Sequence, residues 1–148
     1  MNFEMLVLDP GKKTRCENAL SLLFALRSFS RLWKNPRLAE SEHTIHDTTC
    51  SLRVSDQAAK TSDDQPAKAP ARAFAIVLTG EYDHIESLRL PIVEFIEEQK
   101  FEHRYITKDE ISEHIACKLY PHLYRVENSL RGYLTRFMTT RFGGTWWK

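Results

Sequence analysis

The last thirty residues of the chain carry its clearest periodic pattern. Large apolar residues recur there at intervals of three and four, which places them on one side of a helix; they are Leu119, Leu123, Val126, Leu130, Leu134 and Phe137. Pro121 suits the first turn of such a helix, and Gly143 with Gly144 supplies a left-handed stop. An apolar side this wide needs a partner, as do Trp146 and Trp147. We therefore expect either that the chain is incomplete or that it dimerises through this helix.

The polar residues between these apolar positions carry a resemblance to a known family. The order Tyr120-Pro121-x-Leu123-Tyr124-x-x-Glu127-Asn128-x-Leu130-Arg131, followed by Phe142-Gly143-x-x-Trp146-Trp147, resembles the first helix of HEPN domains. The similar sub-group has an E-N-x-x-L-R core and a Y-G-x-x-W-W end. The resemblance covers roughly the last fifth of the chain.

The resemblance implies an all-helical, often dimeric domain of a kind that is frequently a metal-independent ribonuclease in toxin–antitoxin and phage-defence systems. The active site of that family is usually an Arg followed by a His on a later helix, and residues 129–148 contain no such pair. Glu127, Asn128 and Arg131 are then candidates for a polar groove. Neighbouring side chains of a helix point about 100° apart, so either Glu127 or Asn128 should approach the bundle interior or a dimer seam. The alternative is a surface Glu127–Arg131 pair with Asn128 bonding locally.

Composition indicates an ordinary globular protein, with 42% hydrophobic and 28% charged residues and a net charge of +1. Cys16, Cys50 and Cys117 fit neither a disulfide framework nor a zinc pattern, which favours a reducing cytoplasm. The longest apolar run, 19–26, is broken only by Ser21 and is too short to span a bilayer. We predict a cytoplasmic protein with no cofactor, no metal and no membrane partner.

The order of the remaining elements predicts an α+β fold. Strands are predicted at 2–8, 44–54, 72–79 and 101–106, and helices at 17–34, 84–99 and from Lys108, where Thr107 and Glu110 form a capping box. This β-α-β-β-α-β order is ferredoxin-like: a four-stranded antiparallel sheet with two helices on one side. The predicted domains are an α+β module at 1–107, with a mobile loop at 55–72, and a helical segment at 108–148.

Two groups of cations are candidates for binding phosphate or RNA. Arg27, Arg31 and Lys34 are spaced to share one side of the first helix, and Arg125, Arg136 and Arg141 lie in the C-terminal segment. From Lys118 onward there are six Lys or Arg and one acid, so this segment is locally basic. The alternative is that these cations form the solvated sides of amphipathic helices near their favourable C-terminal ends.

Three further motifs are weaker candidates for a functional site. For each of them, the alternative is that the residues simply form a turn or lie on the surface. The segment 9–14, Asp-Pro-Gly-Lys-Lys-Thr, lies between a strand and a helix but lacks the first glycine of a phosphate-binding loop. Arg37 and His43 have the spacing of the HEPN catalytic pair but fall in a polar connection. His43 and His46 could share a metal only with a distant acid.

The sequence thus leaves three functional hypotheses open. The first is the N-terminal part of a HEPN-type toxin or phage-defence protein, in which an RNA-binding or regulatory module leads into a ribonuclease-like domain. The second is a non-catalytic module that binds a protein partner or a second copy, or acts like an antitoxin, through the C-terminal helix. The third is a small-molecule sensor that uses the open side of the sheet. These 148 residues alone are expected to cleave no RNA.

Overall fold

The computed structural model describes residues 1–29, 31–57 and 72–144. It has six strands and three α-helices in these parts of the chain. In chain order they are β1 (Asn2–Asp9), α1 (Ala19–Ser28), β2 (Arg37–Ala39), a short 3-10 helix (Glu40–Glu42), β3 (Thr44–His46), β4 (Cys50–Asp56), β5 (Arg72–Gly80), α2 (Tyr82–Glu98), β6 (His103–Asp109) and α3 (Glu110–Phe142). The prediction of an α+β fold with a C-terminal helix is confirmed.

The six strands form one antiparallel sheet in the order β2-β3-β4-β5-β1-β6. The prediction of four strands is therefore wrong. The single strand predicted at 44–54 is two, because the chain turns between β3 and β4, where the amide of Asp47 donates to the carbonyl of Cys50 at 2.9 Å. The polar connection predicted after Pro36 contains β2, which pairs Arg37 with His46.

One face of the sheet carries the core. Residues alternate along β1, so that Phe3, Met5 and Val7 are buried while their neighbours are half-buried. Their cross-strand partners on β5 are also buried, which places them on the same face. Both α1 and α2 contribute to the same apolar cluster, and the rings of Phe29 and Phe95 lie 5.3 Å apart where the two helices approach.

The first helix is shorter than predicted. Asn18 forms a capping box with Ser21, and the helix ends at Ser28 because Phe29 adopts an extended conformation. The chain then turns back, and the indole Nε1 of Trp33 donates to the carbonyl of Leu26 at 2.9 Å. One of the last carbonyls of α1 is thus satisfied by a side chain rather than by another helical turn.

The third helix is one continuous element of 33 residues. The predicted capping box is wrong, because Thr107 belongs to β6 and Glu110 instead accepts a hydrogen bond from the amide of Asn2 at 2.8 Å. Pro121 lies inside the helix rather than in a first turn. Gly143 has the predicted left-handed conformation just after the last helical residue.

The chain divides into two compact units, Met1–Ile111 and Ser112–Lys148. All of the buried core found in the described residues belongs to the first unit, and α3 is the described element of the second. Of the predicted loop at 55–72, Ser55 and Asp56 belong to β4 and Arg72 to β5, and the interior, 58–71, lies outside the described residues.

Candidate functional site

The apolar stripe of α3 is the most extensive exposed apolar feature among the described residues. We define it by six apolar residues that recur at intervals of three and four: Leu119, Leu123, Val126, Leu130, Leu134 and Phe137. Their exposed fractions lie between 44% and 66%. A large apolar side chain that is half exposed is ordinary alone, but six in a row on one side of a helix form a patch typical of an interaction surface.

The stripe runs parallel to the axis of α3. At about 100° per residue, the six side chains fall within an arc of roughly 80°. Leu119 and Phe137 are eighteen residues apart, which is five full turns, so the stripe does not drift around the helix over its length of about 27 Å. A straight stripe of this kind can lie against a second straight helix along its whole length.

The predicted polar pair flanks the stripe on one side only. Glu127 points about 40° from the direction of Leu123, whereas Asn128 points about 140° away from it. Glu127 and Arg131 form an ion pair at 2.6 Å, with both side chains largely exposed. With Leu130 and Leu134 they border a shallow groove of about 520 Å³. Of the two alternatives for these residues, the structure contains the surface pair, and Glu127 also borders the stripe.

The cations of α3 are distributed around the helix rather than gathered in one patch. Lys118, Arg125 and Arg136 lie on the side opposite the stripe, roughly 140–160° from Leu123. Arg141 follows the stripe at its C-terminal end, and its guanidinium lies 5.8 Å from the centre of the Phe137 ring. The predicted phosphate-binding residues in this segment therefore lie on two sides of α3: Arg125 and Arg136 opposite the stripe, and Arg141 in line with it.

The cations predicted on the first helix do not share a helix face. Arg27 lies in the last turn of α1, whereas Arg31 and Lys34 follow the helix, because α1 ends six residues earlier than predicted. The structure brings Arg31 and Lys34 to a cleft of about 600 Å³ between the segment 31–34, the turn 47–50 and the start of α2. This cleft is not among the predicted sites. The sequence signal that marks it is Asp47-Thr48-Thr49, where an Asp that favours a turn lies between residues that favour strands.

Asp47 organises one wall of the cleft. Its carboxylate accepts hydrogen bonds from the amides of Lys34, Asn35 and Thr48, which ties the segment after α1 to the turn before β4. Burial raises the pKa of Asp47, but these three amides lower it more, so the carboxyl stays ionised below its usual range.

The cleft contains a thiol and an imidazole but no activated nucleophile. Cys50 is buried, and burial with the nearby charge of Asp47 raises its pKa to about 11, so the thiol is protonated at neutral pH. The Nδ1 atom of His84 is buried without a hydrogen-bond partner, and that residue also lines the cleft. In the described ranges, no group of three His, Cys, Asp or Glu side chains is placed to hold a metal ion.

The weaker motifs have structural roles. The Asp9 carboxylate accepts hydrogen bonds from the amides of Lys13 and Thr14 at 2.8 and 2.9 Å, so these two amides of the suspected phosphate loop are already occupied. Arg37 lies in β2, and His43 follows the 3-10 helix in a left-handed conformation. Trp146 and Trp147, predicted as interface residues, lie outside the described residues.

Comparisons of the chain with protein-family models, with curated proteins and with solved structures found no match. Across the described ranges no helix is both long and apolar enough to cross a membrane.

Proposed function

We propose that this chain is a non-catalytic association module, which uses the apolar stripe of α3 to bind a second copy of itself. The observation that carries the proposal is the stripe: six large apolar side chains, each about half exposed, along one side of a 33-residue helix. Covering the stripe removes this surface from water, at roughly 25 cal/mol for each Å² of apolar area. A twofold dimer is the simplest closed arrangement that covers it on both copies.

Leu130→Asp tests this proposal directly. The substitution places a charge without a partner at the middle of the stripe, which costs about 3 kcal/mol or more and weakens association by at least about 100-fold. Sedimentation at micromolar concentration should show a dimer for the unmodified chain and a monomer for the variant.

Asn128→Asp is the matched control. It adds the same charge two residues away, on the side of α3 opposite the stripe, and should leave the dimer intact. A monomeric unmodified chain, or equal weakening by both substitutions, would contradict the proposal.

A HEPN-type identity is the second candidate, with RNA as the partner. It is supported by the row of Lys118, Arg125 and Arg136 on the side of α3 opposite the stripe, where a phosphate backbone can bind without covering the stripe. In this proposal the α+β unit is a regulatory or RNA-binding module in a cytoplasmic toxin or phage-defence protein. RNA binding that weakens steeply with salt and is lost in Arg125→Ala/Arg136→Ala would favour it.

We expect no RNA cleavage by these residues alone, and cleavage abolished by Arg37→Ala would contradict that expectation.

We also propose that the α+β unit is ferredoxin-like, with β2 and β3 added at one edge. The four long strands lie in the order β4-β5-β1-β6, which is second, third, first and fourth among them, and all four pair antiparallel. A helix follows the first strand and another follows the third, as in a split β-α-β arrangement. The two short strands then extend the sheet beyond β4.

A further inference from the structure

We infer that two copies of α3 pair antiparallel, with the twofold axis near residue 128 and the Glu127–Arg131 pairs of the two copies brought together across the seam. This inference rests on the proposed function and adds the orientation and register of the two helices. It follows from the positions of the stripe residues and of the charges beside them, and it concerns α3 alone.

The stripe is nearly symmetric about its own centre. When a second helix is laid antiparallel about residue 128, Leu119 faces Phe137 of the second copy, Leu123 faces Leu134, and Val126 faces Leu130. Each pair matches to within about one residue, or 1.5 Å along the axis. Every stripe residue therefore meets another stripe residue, as an isologous interface requires.

Apolar matching alone does not exclude a parallel pair, in which each stripe residue faces its own copy. The charges decide between the two orientations. In a parallel pair Arg141, which continues the line of the stripe, faces Arg141 of the second copy, and like charges placed directly opposite repel. In the antiparallel pair Arg141 faces Ile115 and the adjacent Ala116, which carry no charge.

The flanks of the stripe favour the same orientation. Antiparallel helices bring the same flank of each copy together. Each Glu127 then lies about two residues, or 3 Å, along the axis from Arg131 of the second copy and equally far from its Glu127, so the two central carboxylates share the two guanidinium groups on either side of them. In a parallel pair Glu127 meets the opposite flank instead, where His122, Ser129 and Tyr133 provide no permanent cation. The ion pair within each copy, 2.6 Å long in the structure, then becomes part of a four-charge network across the seam.

The remaining charges of α3 do not oppose this pairing. The segment 112–148 carries six Lys or Arg against two Glu, and two such basic helices would repel if these cations faced each other. Lys118, Arg125 and Arg136 point away from the stripe and therefore lie on the outer sides of the pair. Pro121 points about 160° from Leu123 and does not enter the seam.

Disulfide cross-linking of the full chain tests the orientation. Leu123→Cys and Leu134→Cys are made separately in a Cys117→Ser background, which removes the exposed native thiol. One of the two carries a mass tag, and they are mixed and oxidised. The antiparallel register brings positions 123 and 134 within bonding reach and keeps each away from its own copy, so the mixed covalent dimer should exceed either self-linked dimer by roughly tenfold.

The outcomes separate this inference from the proposed function. Self-linked dimers that equal or exceed the mixed dimer would overturn the antiparallel register while leaving dimerisation intact. A chain that sediments as a monomer under reducing conditions would overturn both.

If the cysteine variants themselves fail to dimerise, reversing the charges at positions 127 and 131 tests the antiparallel orientation instead. Glu127→Arg alone and Arg131→Glu alone each place like charges together across an antiparallel seam and should weaken association several-fold. Mixing the two variants restores opposite charges at both contacts and should recover the dimer. Helical content, measured by circular dichroism, must stay equal in all three samples. No recovery on mixing would overturn the inference.

Discussion

Asp9 shows how one buried carboxylate holds the loop after β1. The side chain is fully buried and accepts two amide hydrogen bonds from the loop, and Arg72 lies close enough to interact with its charge. Burial raises the pKa of Asp9, but the amides and Arg72 lower it further, and its pKa lies below the usual value. The depressed pKa means that this carboxylate stabilises the fold at pH values above about 4, and that the contribution is lost as the pH falls through its folded-state pKa.

Asp9→Asn should therefore lower the free energy of unfolding at neutral pH by about 2 kcal/mol, because the amide side chain offers one oxygen where the carboxylate offers two. The difference from the unmodified chain should shrink on acidification from about pH 5 to about pH 2, since both side chains are then neutral. Urea unfolding across this range measures it. Glu17→Gln, which neutralises an exposed carboxylate in the segment before α1, is the control. A difference between Asp9→Asn and the unmodified chain that stays constant with pH would contradict the prediction.

Gly80 is required by a close approach of two strands. A Cβ atom at this position would lie 2.6 Å from the carbonyl oxygen of Thr49 and 2.7 Å from the Cβ of Cys50, closer than real Cβ atoms come to their neighbours. Gly80→Ala should lower the free energy of unfolding by about 2 kcal/mol or more, because the backbone of the 47–50 turn must shift. The urea midpoint of the α+β unit measures this. An unchanged midpoint would mean that the strands separate at no cost.

At the scale of elements, α3 continues through a residue that normally ends helices. Pro121 has no amide hydrogen to donate to the carbonyl of Cys117, and its ring crowds that turn. The helix nevertheless runs unbroken from Glu110 to Phe142. Because Pro121 lies on the side away from the stripe, its ring does not come between the apolar side chains.

Pro121→Ala should stabilise this part of α3 by up to about 3 kcal/mol, since it restores the missing hydrogen bond. Amide hydrogen exchange in residues 118–125 should slow by roughly tenfold or more. Gly132→Ala is a graded comparison: a Cβ there meets no atom within 4 Å, and the expected gain is about 1 kcal/mol. Faster exchange in Pro121→Ala would show that the proline stabilises the helix in a way that backbone bonding does not explain.

At the scale of the whole molecule, the two units differ in charge and in how they are stabilised. Residues 1–111 contain fifteen Lys or Arg and eighteen Asp or Glu, whereas residues 112–148 contain six and two. The first unit has its own core of sheet and helix side chains. The second has one described helix, whose apolar side has no other described element of its unit to pack against.

A chain ending at Ile111 should therefore fold and unfold cooperatively, and it should be monomeric when the full chain is dimeric. Its buried residues include every member of the described core, Ile111 among them. Circular dichroism with urea unfolding, followed by sedimentation, measures both properties. A truncated chain that lacks cooperative unfolding would show that the first unit depends on the second, and a dimeric one would place the interface outside α3.

The sequence by itself determined the features that depend on local periodicity. Alternating burial along β1 and β5, the apolar side of α2 and the stripe of α3 all follow from residue spacing, because the period of two or of 3.6 is a property of neighbouring residues. The stripe was found at its correct positions for this reason, and so was the glycine stop after it.

Only the tertiary structure decided where several elements end and which distant residues meet. The first helix stops at Ser28 because Trp33 caps it and because Asp47, thirteen residues beyond Lys34, holds the following segment. The run from Thr44 to Val54 has β-branched residues on both sides of Asp47, so its spacing alone does not divide it into two strands. The turn at Asp47 is fixed by the hydrogen bonds that its carboxylate accepts from the amides of Lys34, Asn35 and Thr48. The sequence predicts Arg31 and Lys34 as candidates for binding phosphate. Their position at one cleft with Asp47, Cys50 and His84 depends on contacts between residues far apart in the chain. Such contacts are chosen by burial and hydrogen bonding in the folded molecule, which no spacing rule contains.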